Sequence, residues 1–106
     1  MRVLGISGSP RRGGNTELLL AELLKGAASR GAEVVTIVLN NLNLAPCQHC
    51  DACLKAGKCR VNDDMQDIYR QLNQADRIVL ASPIQFLGIT APLKAMIDRG
   101  QALWAR

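Results

Sequence analysis

Short apolar runs alternate along this chain with segments of helical periodicity, and this alternation constrains the fold strongly. Three runs have the apolar, β-branched character of buried strands: residues 2–7, 33–39 and 77–81. Amphipathic helices are predicted between and after them: residues 17–30, 63–75 and a segment from 91 onward. The resulting β-α-β-loop-α-β-α order predicts an α/β doubly wound fold, with a parallel sheet, right-handed crossovers and helices on both faces.

Each predicted helix has an apolar stripe, and two have a recognisable end. Asn15 or Thr16 is expected to cap the first helix, and Gly31 occupies the position of a left-handed C-cap. Asp63 and Gln66 have the spacing of a capping box for the second helix. The stripes consist of Leu19, Leu20, Leu23, Leu24, Ala27 and Ala28 in the first helix, Met65, Ile68, Tyr69 and Leu72 in the second, and Leu93, Met96 and Ile97 in the third.

A chain of 106 residues has the size of one domain, so residues 1–106 are expected to form a single unit. The net charge of +4 is modest, and only three residues are aromatic, which leaves little surface on which nucleic-acid bases can stack. No run approaches the roughly 18 apolar residues that a membrane helix requires, and no export signal is evident. We therefore expect a soluble, cytoplasmic protein with no nucleic-acid or membrane partner.

All four cysteines fall within thirteen residues, CQHCDACLKAGKC, in the irregular segment 45–62. Compact iron-sulfur sites use cysteines spaced this closely, whereas zinc sites more often use two C-x2-C pairs separated by a dozen or more residues. The favoured interpretation is a four-iron four-sulfur cluster, ahead of a structural zinc, free or redox thiols and a disulfide pair. His49 lies between two of the expected ligands and is predicted to be an exposed loop residue. The expected ligands are Cys47, Cys50, Cys53 and Cys59.

The segment SGSPRRGGNT, residues 7–16, joins the first strand to the first helix. Backbone amides and the helix dipole favour an anion at such a position. The glycine spacing resembles a Walker loop, but Gly14 and Asn15 stand where that loop has its Lys and Ser/Thr. There is also no G-x-G-x-x-G motif. A monophosphate site is therefore predicted, and the alternative is a flexible turn that binds nothing.

Three segments, GISGSPRRGGNT, the cysteine run and ASPIQFLGITAPLKAMIDR, together resemble the iron-sulfur flavoproteins within the NADPH-dependent FMN reductase group of flavodoxin-like proteins. The resemblance extends in order over nearly the whole chain. It implies an FMN phosphate contacted by Ser9, Arg11, Asn15 and Thr16, with Arg12 as a further neighbour. It also implies that six residues lie against the isoalloxazine ring, largely through backbone groups: Pro83, Ile84, Gln85, Phe86, Leu87 and Gly88.

The implied function is electron transfer between FMN and a four-iron four-sulfur cluster, by an oxidoreductase or electron carrier that uses NAD(P)H or ferredoxin as redox partner. In this interpretation no side chain has to act as a nucleophile or general base, so no catalytic residue is assigned. Two other functions stay open. One is an NAD(P)H-dependent FMN or quinone reductase whose cysteines hold zinc or nothing, and the other is a non-catalytic, zinc-stabilised module.

The chain departs from the pattern of these relatives in two respects. Relatives usually carry a tyrosine where this chain has Gln85, whose amide can instead hydrogen-bond the flavin ring. A flavodoxin-like sheet has five strands in the order 2-1-3-4-5, and this chain supplies only 2-1-3. We therefore expect a truncated fold with an exposed apolar edge that self-associates into a homo-oligomer.

Overall fold

The structure is a computed structural model that describes residues 1–104. Its three strands form one parallel sheet in the order β2-β1-β3, in which Ser7 lies opposite Val38 on one side and Ala81 on the other. The strands are β1 (Arg2–Ser7), β2 (Glu33–Val38) and β3 (Arg77–Ala81). The predicted parallel sheet and its strand order are confirmed.

The helices follow the predicted order, with two short additions, one in the cysteine segment and one after the last predicted helix. They are α1 (Asn15–Ser29), α2 (Ala52–Ala56), α3 (Met65–Gln74), α4 (Ala91–Arg99) and α5 (Gln101–Trp104), and a 3-10 turn spans Leu39–Asn41. The short helix α2 lies inside the cysteine segment, which had been predicted to be irregular. Among residues 1–104, no helix combines the length and apolar character needed to cross a membrane.

The core consists of one apolar cluster on each face of the sheet. Leu4 and Ile6 of β1 face a cluster that includes side chains from α3 and α4, whereas Val3 packs against α1. A Cβ atom at Gly5 would lie 2.7 Å from Cδ1 of Leu24, so glycine allows α1 to approach the sheet closely. The predicted doubly wound arrangement is therefore confirmed, with α1 on one face and α3 and α4 on the other.

The two ends of α1 differ in how well they were predicted. Gly31 follows the helix with φ of +90°, and its amide donates to the carbonyl oxygen of Ala28 at 3.0 Å, as expected for a left-handed cap. The expected cap by Asn15 or Thr16 is wrong, because Gly14 is the N-cap residue and no side chain bonds there.

One predicted core position on α4 is also wrong. Ile97 is 41% exposed, whereas Arg99 is only 2% exposed and lies on the same helix. The buried stripe runs through Leu93, Met96 and Arg99, which recur at three-residue spacing. Apolar character favoured Ile97 as the core residue, whereas the buried residue is Arg99.

The sheet has an exposed apolar edge at β3, as expected. No other described strand lies beyond β3, where Ile78 and Leu80 are 49% and 47% exposed. Leu19 and Leu23 of α1, predicted to belong to a buried stripe, are 72% and 48% exposed. Leu19, Leu23 and Leu80 line one groove between α1 and β3, so this part of the stripe has no cover within residues 1–104.

Candidate functional site

Two hydrogen bonds join the loop after β1 to the end of β3 and to the loop that follows it, and a third bond braces the loop after β3 internally. The Gly8 amide donates to the carbonyl oxygen of Ala81 at 2.8 Å, and the Thr90 hydroxyl Oγ1 donates to the carbonyl oxygen of Gly8 at 2.6 Å. The Thr90 amide donates in turn to Oγ of Ser82 at 3.1 Å. Since Thr90 is fully buried, these bonds fix the relative positions of the two loops at the carboxyl edge of the sheet.

The two loops enclose a pocket of about 340 Å³ beside the N-terminus of α1. Ligand pockets are typically about 300 to 1,000 Å³, so this volume is at the lower end of that range. We refer to it as the loop pocket. It is lined by Ser9, Pro10, Arg11, Gly14, Asn15, Thr16, Pro83 and Gln85. Six of these eight residues had been predicted as site residues.

The loop pocket has the chemistry of an anion site. Arg11 contributes a positive charge, and Asn15 and Thr16 lie in the first turn of α1, where helix amides have no intrahelical acceptor. Ser9 is buried, and its Oγ accepts a hydrogen bond from the Arg11 amide at 3.2 Å. Gly13 has φ of +72°, a conformation that favours glycine, and it turns the chain into the helix.

The structure separates the two arginines of this loop. Arg12 does not line the loop pocket, and its Nε donates to Oε2 of Glu17 at 3.1 Å. The same carboxylate oxygen accepts a hydrogen bond from the Gly13 amide at 3.3 Å. The Arg12 guanidinium is therefore neutralised on the surface, whereas Arg11 stays beside the pocket.

The second loop forms a tight turn with exposed apolar residues at its tip. Gln85 and Gly88 exchange two backbone hydrogen bonds, of 2.8 and 3.0 Å from N to O. Phe86 and Leu87 lie between them with φ of 45° and 66°, and both side chains are almost fully exposed. Left-handed backbone at bulky residues stores strain, which is commonly found at ligand contacts. Ile84 is also exposed, so only Pro83 and Gln85 of the six predicted flavin-contact residues line the loop pocket.

The four cysteines line a second pocket, which we call the cysteine pocket. It lies between the cysteine segment and the end of α4, and Arg99 and Ala102 form part of its wall. Its volume is about 30 Å³, which is about the share of one water molecule in the liquid.

The cysteines fit a soft metal group by their chemistry, since all four are free thiols brought to one pocket. A single tetrahedral zinc needs its sulfur ligands at about 2.3 Å from one point. Within residues 1–104, no group of three or more His, Cys, Asp or Glu side chains is arranged to hold one metal ion. The four sulfurs thus line one pocket, but they do not surround a common metal position. His49 is exposed, as predicted, and it also lines the pocket.

Arg99 holds both flanks of the cysteine segment. Its Nη1 donates to Oδ2 of Asp63 at 2.5 Å and to the carbonyl oxygen of Ala45 at 3.2 Å. Its Nη2 donates to the carbonyl oxygen of Val61 at 3.0 Å and lies 3.7 Å from Sγ of Cys59. Both side chains of the Arg99–Asp63 ion pair are almost completely buried. One guanidinium thus connects α4 to residues on either side of the cysteines.

This buried network sets the protonation of its members. Burial alone would raise the pKa of the Cys59 thiol, but hydrogen bonding with the Val61 backbone, together with Tyr69 and Arg99 nearby, brings the pKa below its ordinary value. Burial would likewise raise the pKa of Asp63, but hydrogen bonds from Arg99 and from two backbone amides outweigh it and lower that pKa. The surroundings therefore stabilise the ionised form of each group relative to the same group in water.

Two residues that position the site had not been identified from the sequence. Thr90 joins the two loops, and Arg99 anchors the cysteine segment. The three-residue spacing of Arg99 from Met96 was a usable signal, because that spacing places both residues on one helix face. The contact between Thr90 and Gly8 joins residues 82 positions apart, and no local pattern indicates it.

The parallel sheet in the order β2-β1-β3, with a phosphate-type loop after β1, defines the chain as a flavodoxin-like α/β protein. The family model for NADPH-dependent FMN reductase matches residues 1–106. The chain therefore belongs to the NADPH-dependent FMN reductase family, and the resemblance stated from its motifs is confirmed.

Individual relatives agree with this assignment. The chain is 45% identical over 103 residues to an iron-sulfur flavoprotein of Methanocaldococcus jannaschii, which covers 97% of this chain and 53% of that protein. It is 46% identical over 103 residues to an iron-sulfur flavoprotein of Archaeoglobus fulgidus, and the match covers 97% of this chain and 52% of that protein. A solved flavone reductase aligns with a TM-score of 0.75 at 32% identity, covering 94% of this chain and 30% of that one. The chain spans about half the length of the curated relatives it matches.

Proposed function

We propose that this chain is the FMN- and cluster-binding part of a redox flavoprotein, with the FMN phosphate in the loop pocket and a four-iron four-sulfur cluster on the four cysteines. The observation that carries the proposal is that one fold presents both an anion pocket beside α1 and a pocket lined by all four cysteines. The relatives named iron-sulfur flavoproteins support the same pairing.

The protein's own contribution is positioning and charge. When bound, FMN exchanges two electrons with a hydride donor and passes them singly to a one-electron centre such as an iron-sulfur cluster. Arg11 and the first-turn amides of α1 would neutralise the phosphate, and Gln85 would face the flavin with its amide. Cys47, Cys50, Cys53 and Cys59 would hold the cluster, and the Arg99 network would fix the flanks of their segment. NAD(P)H or ferredoxin is the proposed electron donor, and the cytoplasm the proposed location.

A second candidate is an NAD(P)H-dependent FMN or quinone reductase in which the cysteines bind no cluster. It is favoured by the fact that, within residues 1–104, no three potential ligands are arranged around one metal position. The two candidates differ in whether iron and acid-labile sulfide accompany the flavin.

Anaerobic purification with quantification of iron, sulfide and FMN tests these proposals. We expect about four iron and four sulfide per chain together with one FMN. Flavin without iron would favour the second candidate, and material containing neither group would refute both. Cys50→Ser should lower the iron and sulfide content, whereas Lys55→Ser, at an exposed position of α2 in the same segment, should leave it unchanged.

A further inference from the structure

Arg99 has one hydrogen-bonding group that no residue within 1–104 uses. The side chain is 2% exposed, and its Nε is buried without a hydrogen-bond partner among the described residues. Every other contact of the guanidinium is made by Nη1 and Nη2. A buried donor without an acceptor is costly, and more so when the group is charged. Such a donor calls for an explanation, and a group bound beside it is one.

The position of Arg99 indicates what that group is. The side chain lines the cysteine pocket together with all four thiols, and its Nη2 lies 3.7 Å from Sγ of Cys59. A guanidinium can only donate hydrogen bonds and carries a fixed positive charge. An acceptor in this pocket would therefore be an electron-rich and negatively charged group.

The guanidinium of Arg99 is already charged and held in place in the folded chain. Asp63 already neutralises it through Nη1, at 2.5 Å from Oδ2, and the carbonyl oxygens of Ala45 and Val61 hold the guanidinium plane. The donor is therefore preorganised on the end of α4, and the anchored flanks of the cysteine segment are fixed relative to it. Preorganised donors on a buried side chain such as Arg99 act strongly on nearby charge.

We propose that Arg99 is a positioning residue that raises the reduction potential of the cluster, by donating hydrogen bonds to the sulfur of Cys59 and to the anionic cluster in the cysteine pocket. The inference rests on the proposed cluster and names the residue that tunes it. Adding one electron makes the cluster more negative, so donors and positive charge beside its sulfurs stabilise the reduced state. Hydrogen bonds to sulfur and local charge are among the factors that set cluster potentials.

The midpoint potential of the cluster, measured in anaerobically prepared protein, tests the proposal. Replacing the ion pair together, as Arg99→Met with Asp63→Asn, removes the Arg99 donors without leaving a buried charge. We expect this variant to hold the cluster with a reduction equilibrium constant lowered at least tenfold, which is 59 mV for a one-electron couple. Arg99→Lys keeps the positive charge but loses Nε and the planar guanidinium. The cluster potential should therefore fall by a smaller amount in this variant.

Arg30→Gln is the control for loss of a positive charge, because Arg30 is exposed at the end of α1 and does not line the cysteine pocket. Its potential should stay close to that of the wild type. A merely structural role for Arg99 would lower stability and leave the potential unchanged. Variants of Arg99 with wild-type iron content and wild-type potential would overturn the inference. A wild-type chain without iron would instead refute the proposed cluster, and the inference with it.

Discussion

The hydroxyl of Thr90 donates to the carbonyl oxygen of Gly8 at 2.6 Å, which joins the loop after β1 to the loop after β3. This contact is possible because Gly8 has no side chain: a Cβ atom there would lie 2.8 Å from Oγ1 of Thr90 and 2.9 Å from Cβ of Leu93. The shape of the loop pocket therefore depends on a glycine that has no direct role in binding.

Gly8→Ala should weaken both the fold and flavin binding. Overpacking of this kind costs about 1 to 3 kcal/mol, and the two loops would have to separate to relieve it. Urea unfolding and FMN titration measure the two effects. Gly26→Ala is the control, because no atom lies within 4 Å of its added Cβ and it lies inside α1, where alanine is favoured by about 1 kcal/mol. Equal stability of the two variants would contradict the packing argument.

Arg11→Ala should weaken FMN binding far more than Arg12→Ala. Hydrogen bonds to charged groups contribute about 1.5 to 3 kcal/mol, which corresponds to roughly tenfold to more than hundredfold in the dissociation constant. Arg11 lines the loop pocket, whereas Arg12 is paired with Glu17 outside it. Quenching of FMN fluorescence on binding measures both constants, and riboflavin, which lacks the phosphate, should show no such difference. Equal losses for the two arginines would place Arg12 in the site as well.

Asp63→Asn should destabilise the chain by about 3 to 5 kcal/mol, because it leaves the buried Arg99 without its counter-ion. Asp67→Asn breaks an exposed ion pair with Arg70 and should cost at most about 1 kcal/mol. Chemical unfolding at neutral pH compares the two variants. A similar small effect of both would show that water or another group compensates Arg99.

The Asp63 contribution should also depend on pH in one direction. Its folded-state pKa lies below the ordinary value of 3.8, so the stabilisation is present above that value and is lost as the pH falls through the folded-state pKa. The difference in unfolding free energy between wild type and Asp63→Asn should therefore shrink below about pH 4. Stability measured from pH 7 to pH 3 checks this, and a constant difference would contradict it.

The exposed edge of β3 should drive self-association of the 106-residue chain. Leu80 is 47% exposed, and no described strand pairs with the far side of β3. A charge on an edge strand opposes pairing with another strand, so Leu80→Lys should shift the mass in solution toward the monomer. Light scattering after size exclusion measures this. Glu22→Lys on the exposed surface of α1 is a control for added positive charge. A stable wild-type monomer would contradict the expectation.

Much of the fold was predictable because it depends on local patterns. The strand β3 was predicted at its observed bounds, and Met65 and Ile68 lie in the core as their helical spacing indicated. The helix α2 was missed because its five residues lie among cysteines and polar residues, where no apolar period can develop. Ile97 was assigned to the core in place of Arg99, because composition alone does not reveal that a charge has a buried partner.

The amino-acid sequence by itself determined the alternation of strands and helices, the phosphate-type loop and the four closely spaced thiols, since each is a pattern of neighbouring residues. Only the tertiary structure decided that Arg11 and not Arg12 lines the loop pocket, that Thr90 joins the two loops, and that Arg99 is buried beside Cys59. The last two arrangements depend on contacts between residues 82 and 40 positions apart. Such contacts form only when the sheet and its helices pack, and for that reason local sequence patterns do not reveal them.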